Sequence, residues 1–592
     1  MLETDANTAR EGARTALDGD PVAQDKAGTE PADASAGQQN AAEAGLRTSP
    51  QIGTIPPDQP PAGSEATASG TSPPDRTAPL DSETELKLVV DADRLADFSA
   101  ARVITANARN KGSRKHLKSL YYDTPERTLQ RSGLSLRVRR SGARFVQTVK
   151  SECADDPLRR GEWEAAVTSM DPDVALAIPF IPAKLRADLA HQELEAVFAA
   201  DIHRHVRIVD LPSGTVEVAF DRGVLTSGER SMPVSEIELE LKGGSASAIY
   251  ELALRLAEHG PVKPSIRSKS ARGFDLAADT PPGARKPRKL RLDPSISLDE
   301  LFATILRVCF RHLLECLPAA EDGRDPEGIH QLRVSLRRLR SAFALMRSVG
   351  PLSKLDSMRS DASWLAQNLS AARDWDIFRN ETMPTIAKAC PSVAGFDALE
   401  QVASRRRQAA YDKVRLALTD IRCAHFLIGL GGWIETRGWR DGDVAPEDLA
   451  RLAAPAIGFA GEMLSGRHAK VLKCGRRFKS LGPEKLHRLR IAAKKLRYVA
   501  DFLLPLYDDR KSVRRFSRRL ADLQEELGSY NDIAITASLL DGLGGESARS
   551  GTAAAAIAGW QAHASICIEP RLRSAWRDFT KTKLPWSGQA ER

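Results

Sequence analysis

Residues 236–242 read Glu-Ile-Glu-Leu-Glu-Leu-Lys, and residues 83–87 read Glu-Thr-Glu-Leu-Lys. Strict alternation selects an extended strand, in which successive side chains point to opposite faces. Glu236, Glu238, Glu240 and Lys242 then share one face, and Ile237, Leu239 and Leu241 share the other. Glu83, Glu85 and Lys87 repeat the arrangement, backed by Leu86 and Leu88. Like charges about 7 Å apart along one strand face repel unless a cation lies among them. Two Glu-x-Glu rows, each ending in a lysine, therefore point to a site for a divalent metal together with an anion.

The strand pattern extends over residues 81–276. Leu134–Arg139, Phe145–Lys150, Val216–Asp221 and the 236–242 run alternate apolar and polar residues. Helices are expected near 182–200 and 245–259, the second opening after Gly243-Gly244 with Ser245 or Ser247 as its cap. The polar face is unusual because charge fills it. It carries Glu83, Glu85, Lys87, Arg137, Arg139, Lys150, Glu162, Glu164, Glu217, Asp221, Glu236, Glu238, Glu240 and Lys242. Short strands sharing one intensely charged face suit a barrel whose interior is a charged tunnel. A sandwich with a solvated charged face is the alternative.

At 592 residues the chain is long enough for several domains. Its formal net charge is +8, yet residues 1–80 hold 5 Lys/Arg against 12 Asp/Glu, so the rest is more basic than the whole. The first aromatic residue is Phe98, and a segment as apolar-poor as 1–80 is expected to be disordered. A basic body attracts polyanions. Seven dispersed cysteines without a CxxC pair fit a reducing compartment and exclude a disulfide framework or a zinc site. No run of about 20 apolar residues is present to span a membrane. The N-terminal Met-Leu-Glu-Thr-Asp-Ala lacks the features of a secretory signal. The expected location is the cytoplasm, with no membrane partner.

Residues 277–294 are rich in Pro, Lys and Arg and read as a linker, after which helical spacing dominates from 295 to 585. This half repeats itself. Ile329-His330-Gln-Leu-Arg333-Val-Ser-Leu-Arg337-Arg338-Leu-Arg340 aligns without a gap on Leu486-His487-Arg-Leu-Arg490-Ile-Ala-Ala-Lys494-Lys495-Leu-Arg497. Each copy is followed by a second short match, Leu369–Asp374 and Leu527–Asp532. Two related, pseudo-symmetric helical bundles are expected. In each helix an apolar stripe (Ile329, Leu332, Leu336, Leu339, Phe343 in the first) runs beside a basic one (His330, Arg333, Arg337, Arg340; His487, Arg490, Lys494, Arg497). Arg338 and Lys495 widen each basic stripe. Cations at i, i+4 destabilise a helix mildly, so their repetition points to a phosphate-bearing anion held in one groove. Nearby phosphate would also favour protonated His330 and His487. Few aromatic residues accompany these stripes, and no nucleic-acid partner is expected.

The first half resembles the CYTH family of triphosphate tunnel metalloenzymes. The residues that carry the resemblance are Glu83-Thr-Glu85-Leu-Lys87, Tyr121-Tyr-Asp-Thr-Pro125, Leu134-Ser-Leu-Arg137-Val-Arg139 and Thr148-Val-Lys150. Arg160-Gly-Glu162-Trp-Glu164, Phe220-Asp221-Arg-Gly223, Glu236–Gly243 and Lys269-Ser-Ala-Arg-Gly273 complete the set. The second half resembles the CHAD family, helical modules with paired histidines and basic residues. The resemblance implies an α+β multidomain chain. An antiparallel eight-stranded β-barrel tunnel precedes an all-α domain of two helical bundles, with inorganic polyphosphate as the second module's partner and polyphosphate granules as a place of association. It also implies Mg²⁺ or Mn²⁺ at Glu83, Glu85, Glu238 and Glu240. Lys87, Arg137, Arg139 and Lys150 would act in catalysis, and Arg204, Glu162, Glu164, Asp221, Lys242 and Lys269 in substrate binding.

The chemistry so implied is metal-assisted hydrolysis of tripolyphosphate, releasing its terminal phosphoryl group. No GxxxxGK[ST] loop is present. Rival readings are a same-fold enzyme that cyclises ATP or cleaves thiamine triphosphate, and a non-catalytic polyphosphate-binding scaffold. The paired carboxylates argue against the scaffold, since an anion binder gains nothing from them.

Overall fold

The computed structural model describes residues 82–587, apart from 153–158, 191, 351, 353, 443 and 543–550. The acidic tail expected over 1–80 lies outside the described residues. The first half is an antiparallel sheet of β1 (Ser82–Val89), β2 (Ser113–Asp123), β3 (Leu134–Ser141), β4 (Arg144–Glu152), β5 (Arg159–Val167), β6 (Glu195–Leu211), β7 (Gly214–Ser227), β8 (Arg230–Gly244) and β9 (Lys263–Ser265). Their order across the sheet is β5-β4-β3-β2-β6-β7-β8-β1-β9.

The sheet curls until its edges meet, but only at one end. Ser82, Thr84 and the residue between them pair with Arg159–Gly161 of β5, whereas Lys87–Val89 pair with β9 on the same edge of β1. This corrects the expected eight-stranded closed barrel. β1 is eight residues long and β9 takes the last three positions of this edge, so β5 pairs only with the first three.

Alternation sets which face turns inward. Leu86, Leu88, Val216, Val218, Ile237 and Leu239 are buried on the convex face beneath helix α1 (Ser247–His259), whose Ile249, Leu252 and Leu256 complete that core. Each such side chain contributes about 1.5–3 kcal/mol, and a one-residue slip would turn all of them toward the charged interior. α1 falls where the sequence placed it, although its N-cap is Ala246, with the Ser247 amide bonding back to the Ser245 hydroxyl at 3.2 Å. The other expected helix is shorter than 182–200, covering Ala183–Ala190, because Glu195 already begins β6.

Helix α2 (Lys269–Ala277) follows β9, and between it and α3 (Leu298–Asp322) the chain forms neither helix nor strand. The helical half contains α4 (Pro326–Met346), α5 (Ser370–Ile377), α6 (Ile421–Glu435), α7 (Pro483–Leu503) and α8 (Arg510–Asp541) among others. α4 and α7 are both 21 residues long and both open on a proline, as the repeat requires. Ile329, Leu332, Leu336, Leu339 and Phe343 are fully buried, as are Leu489, Ala493 and Leu496. No described helix is long and apolar enough to cross a membrane.

The two halves share packing. Ala424 and Ile428 of α6 join the core beneath α1, and Lys263 of β9 pairs with Glu321 of α3 at 2.6 Å. Tyr250 of α1 lies against Gly431, where an added Cβ would meet its ring at 2.4 Å. Gly431→Val is therefore expected to cost about 1–3 kcal/mol, read as a lower urea midpoint. Gly429→Ala, whose Cβ meets nothing within 4 Å, should not lower the midpoint and should raise it slightly, by up to about 1 kcal/mol of helix propensity.

Candidate functional site: a charged tunnel and a basic groove

The concave face of the sheet encloses a cavity of about 1570 Å³. Lys87, Arg137, Arg139, Lys150, Arg204, Lys242 and Lys269 line it together with Glu85, Glu162, Glu164, Glu217, Glu238 and Glu240. The strand register explains the grouping. Glu240 of β8 lies opposite both Glu85 of β1 and Glu217 of β7, so three neighbouring strands place three carboxylates at one level. One step along, Lys87 faces Glu238. Like charges directly opposite destabilise a sheet, and lysines offset them. Lys87 contacts Glu85 and, at 2.6 Å, Glu238, while Lys242 contacts Glu240. Glu83 belongs to β1, but its side chain lies outside the described residues.

A second acidic group lies deeper. Asp221, Glu236 and Glu238 bring carboxylate oxygens within 4.8 Å of one another. Lys269 inserts its ammonium among them, 2.6 Å from Asp221 and 2.9 Å from Glu238, and also contacts Glu236. Arg204 grips Asp221 through two bonds of 2.7 and 2.6 Å and reaches Glu238, while Arg272 takes Glu236. Burial pushes the carboxyls of Glu238 and Asp221 upward, but the neighbouring cations outweigh it and hold both below the usual range, Glu238 well below. Burial likewise opposes the charge on Lys269, and Asp221, Glu236 and Glu238 override it to raise its pKa. Asp221 is fully buried and does not line the cavity, so it positions Arg204 and Lys269 instead of touching a ligand. The Lys269-to-Gly273 motif also has a packing basis. A Cβ on Gly273 would come within 2.1 Å of the Phe198 ring, and only glycine lets α2 sit close enough to aim Lys269 inward.

The opposite wall carries the arginines. Lys150 pairs with Glu162 at 2.9 Å, and Arg137 lies 3.4 Å from Glu162 and 3.7 Å from Glu164. Arg139 bonds only weakly to Ser119 at 3.3 Å, and burial followed by repulsion from Arg137 lowers its pKa to about 10. Tyr121 lies beside this pair, and although burial raises its pKa, Arg137 and Arg139 bring it below the ordinary value. Tyr121 and Arg272 were not among the sequence-derived site residues, whereas Glu217 was placed on the charged face without a role; the Tyr121 motif was visible, but its register toward the arginines was not. Arg204 faces the cavity, as the resemblance implied.

In the helical half, the repeats converge as expected. Arg333 and Arg337 of α4 lie near Arg490 and Lys494 of α7, close enough to repel them. Burial, then the charges of Arg490 and Arg337, lower the Lys494 pKa to about 7. Burial and then the charge of Arg373 lower the His330 pKa in the free protein. Arg333 donates to the Ser370 hydroxyl at 2.7 Å and the Ala366 carbonyl at 3.1 Å. Gly528, the counterpart of Ser370, lies inside α8. Arg337 and Arg490 each bury an Nε that has no hydrogen-bond partner among the described residues. Other expected groove residues go elsewhere. Arg338 is buried over the Phe502 ring, 3.9 Å from Asp501, which corrects its place in the basic stripe. Its counterpart Lys495 is exposed, and Arg497 donates to Gln524 at 3.0 Å. Arg340 and His487 are half-buried on the same helices.

A tunnel of alternating charge joined to a helical domain with paired basic repeats defines a two-module architecture, and comparison with known proteins agrees with it. Residues 81–274 match the CYTH domain and residues 304–541 the CHAD domain, so the chain contains one of each. It is 28% identical over 165 residues to an inorganic triphosphatase of Haemophilus influenzae, covering 27% of this chain and 46% of that protein, so it spans about half of that relative's length. An uncharacterized protein of Mycobacterium tuberculosis is 23% identical over 415 residues, covering 65% of this chain and 75% of its own. The crystal structure of the CHAD domain from the plant Ricinus communis is 30% identical, covers 51% of this chain and 98% of its own, and superposes with a TM-score of 0.45.

Removing the ammonium at the centre of the acidic cluster tests this electrostatic account. Lys269→Met is expected to destabilise the chain by about 3–5 kcal/mol at neutral pH, read by urea denaturation. The depressed carboxyls of Asp221 and Glu238 contribute stability that is present above about pH 4 and is lost as pH falls through their folded-state values. The wild-type advantage over Lys269→Met should therefore shrink in acid.

Proposed function

We propose that the tunnel is a metal-dependent inorganic triphosphatase that hydrolyses tripolyphosphate, and that the helical domain binds inorganic polyphosphate. The observation that carries the first part is the row of Glu85, Glu240 and Glu217 across three strands, facing a wall of Arg137, Arg139 and Lys150 within one cavity. An all-oxygen donor set of this kind suits Mg²⁺ or Mn²⁺. Glu85, Glu238 and Glu240 are the residues that would hold the metal, together with Glu83 from the same strand. A bound metal would draw charge from the phosphate oxygens and acidify water.

The chain's own residues supply the rest. Arg139 and Arg137 are placed to donate to phosphate oxygens, and Arg139 gains the counter-charge it lacks. Lys87, Lys150, Arg204 and Lys269 surround the remaining charge of a triphosphate. As a water oxygen bonds to the terminal phosphorus, the bridging P–O bond breaks and pyrophosphate leaves, its developing charge met by these cations. The aromatic rings in the wall, Tyr121 and Phe274, are buried against Phe198, which favours an inorganic chain over a nucleotide base or thiamine.

Phosphate release should follow addition of tripolyphosphate with Mg²⁺ or Mn²⁺ and stop with EDTA. Glu85→Gln or Glu240→Gln should lower kcat by about 100-fold or more. Release from ATP or thiamine triphosphate but not from tripolyphosphate would replace this reading with its rivals.

The groove reading makes a separate prediction. Lys494 faces Arg333, Arg337, Arg490 and Asp532, and loses its proton above about pH 7 in the free protein. A bound polyanion favours the protonated form, so binding takes up a proton and weakens as pH rises from 7 to 9. Lys494→Arg, which stays charged, should flatten that dependence in fluorescence anisotropy with labelled polyphosphate. An identical pH profile in the two proteins would remove Lys494 from the groove's binding set.

A further inference from the structure

The tunnel cavity does not end at the sheet. Its wall continues onto Arg131 after β2, Arg267 and Asp275 around α2, Arg285, Lys286 and Arg288 in the segment between α2 and α3, and Arg311 and Glu315 of α3. The charge balance changes along the way. The strands contribute six cations (Lys87, Arg137, Arg139, Lys150, Arg204, Lys242) and six carboxylates (Glu85, Glu162, Glu164, Glu217, Glu238, Glu240). At the mouth, six cations meet only Asp275 and Glu315. Both of these acids are already shared, Asp275 with Arg267 and Glu315 with Arg288 at 3.6 Å and Arg311 at 4.0 Å. Arg285 lies near Asp275, which Arg267 already contacts, so this acid offsets only part of the local positive charge.

The mouth is also built, not merely decorated. The Arg285 carbonyl accepts from His312 Nε2 of α3 at 2.8 Å, and burial lowers the His312 pKa to about 4, so a neutral imidazole pins the linker at neutral pH. Arg311 is itself buried. The Tyr250–Gly431 contact fixes the sheet domain against the helical one on which this linker lies.

We propose that this mouth is a binding site for the part of a linear phosphoanhydride chain that extends beyond the phosphates held inside the tunnel, so that Arg131, Arg267, Arg285, Lys286 and Arg311 select long-chain polyphosphate as a substrate class. The inference rests on the hydrolase reading for its catalytic consequence, but the binding site stands on the charge geometry alone. Focused positive potential at a cavity mouth raises both capture and retention of a polyanion, and a chain short enough to fit inside gains nothing from it.

The test compares the full-length wild type with Arg285→Gln/Lys286→Gln, two exposed side chains whose removal leaves the Arg285 carbonyl in place. With Mg²⁺, KM for long-chain linear polyphosphate should rise about five- to tenfold and its dependence on salt should flatten, while kcat and KM for tripolyphosphate stay unchanged. Equal long-chain KM values in the two proteins would overturn the proposal. An equal rise for tripolyphosphate would also overturn it, by assigning these cations to the tunnel itself. No phosphate release from tripolyphosphate by the wild type would be a failure of the hydrolase reading instead. In that event, anisotropy of labelled long-chain polyphosphate decides, measured in full-length chains that also carry Arg337→Gln, Arg490→Gln and Lys494→Gln to weaken the groove. The linker substitutions must then lower the remaining affinity, and unchanged affinity overturns the proposal.

Discussion

Lys269 places one ammonium among Asp221, Glu236 and Glu238, and the shape of the tunnel floor follows from that contact. Burial and mutual repulsion push Asp221 and Glu238 toward their neutral forms, and Lys269, aided by Arg204, holds both ionised. The same contact sets where Arg204 can lie, since Arg204 shares Asp221 and Glu238 with the lysine. Lys269 enters from outside the sheet, on α2, and its reach depends on Gly273 seating that helix against Phe198. A side chain at the start of a short helix thus determines the electrostatics of strands far away in sequence. The result is a preorganised field: cations already oriented toward a site where phosphate charge would be concentrated.

Much of this was legible in the sequence, and the reason is periodicity. A charged face on a strand and an apolar stripe on a helix are both one-dimensional patterns, so Glu85, Glu238 and Glu240 and the basic edges of α4 and α7 could be assigned before any contact was known. Contacts across elements were not legible. Nothing local distinguishes Asp221, which lies behind the wall, from Glu217, which lines it on the same strand. Arg338 and Lys495 occupy equivalent repeat positions, yet one is buried over Phe502 and the other is exposed, because the two bundles pack against different neighbours. Ser370 and Gly528 also occupy equivalent positions, yet only Ser370 has a hydroxyl to hold the neighbouring arginine, Arg333. The limited closure of the sheet was hidden for a similar reason: it depends on how β9 competes with β5 for one strand edge.

The two modules solve the same electrostatic problem in opposite ways. Inside the sheet, all the lining cations but Arg139 contact a carboxylate, and the acids around Lys269 and Arg204 raise the pKa of both. Between α4 and α7, Arg333, Arg337, Arg490 and Lys494 face one another with Asp374 and Asp532 as the nearby acids, and those acids are themselves pushed by burial toward their neutral forms. The first arrangement is stable without a ligand and suits a site that must hold metal and phosphate in fixed geometry. The second is under repulsion until an anion arrives, and Lys494 relieves part of that repulsion by giving up its proton.

The linker's position gives these two regimes a physical meeting point. It leaves α2, whose first residue is the tunnel's central ammonium, and crosses the cavity mouth before joining α3, which packs beside α4. A flexible connector of the same composition would be expected to remain in solvent and to contribute only long-range attraction. Here the His312 bond and the shared Glu315 hold it against the helical domain, so its cations form part of the cavity wall. That placement makes a basic, proline-rich segment, which on composition alone reads as a spacer, part of the wall of the tunnel cavity.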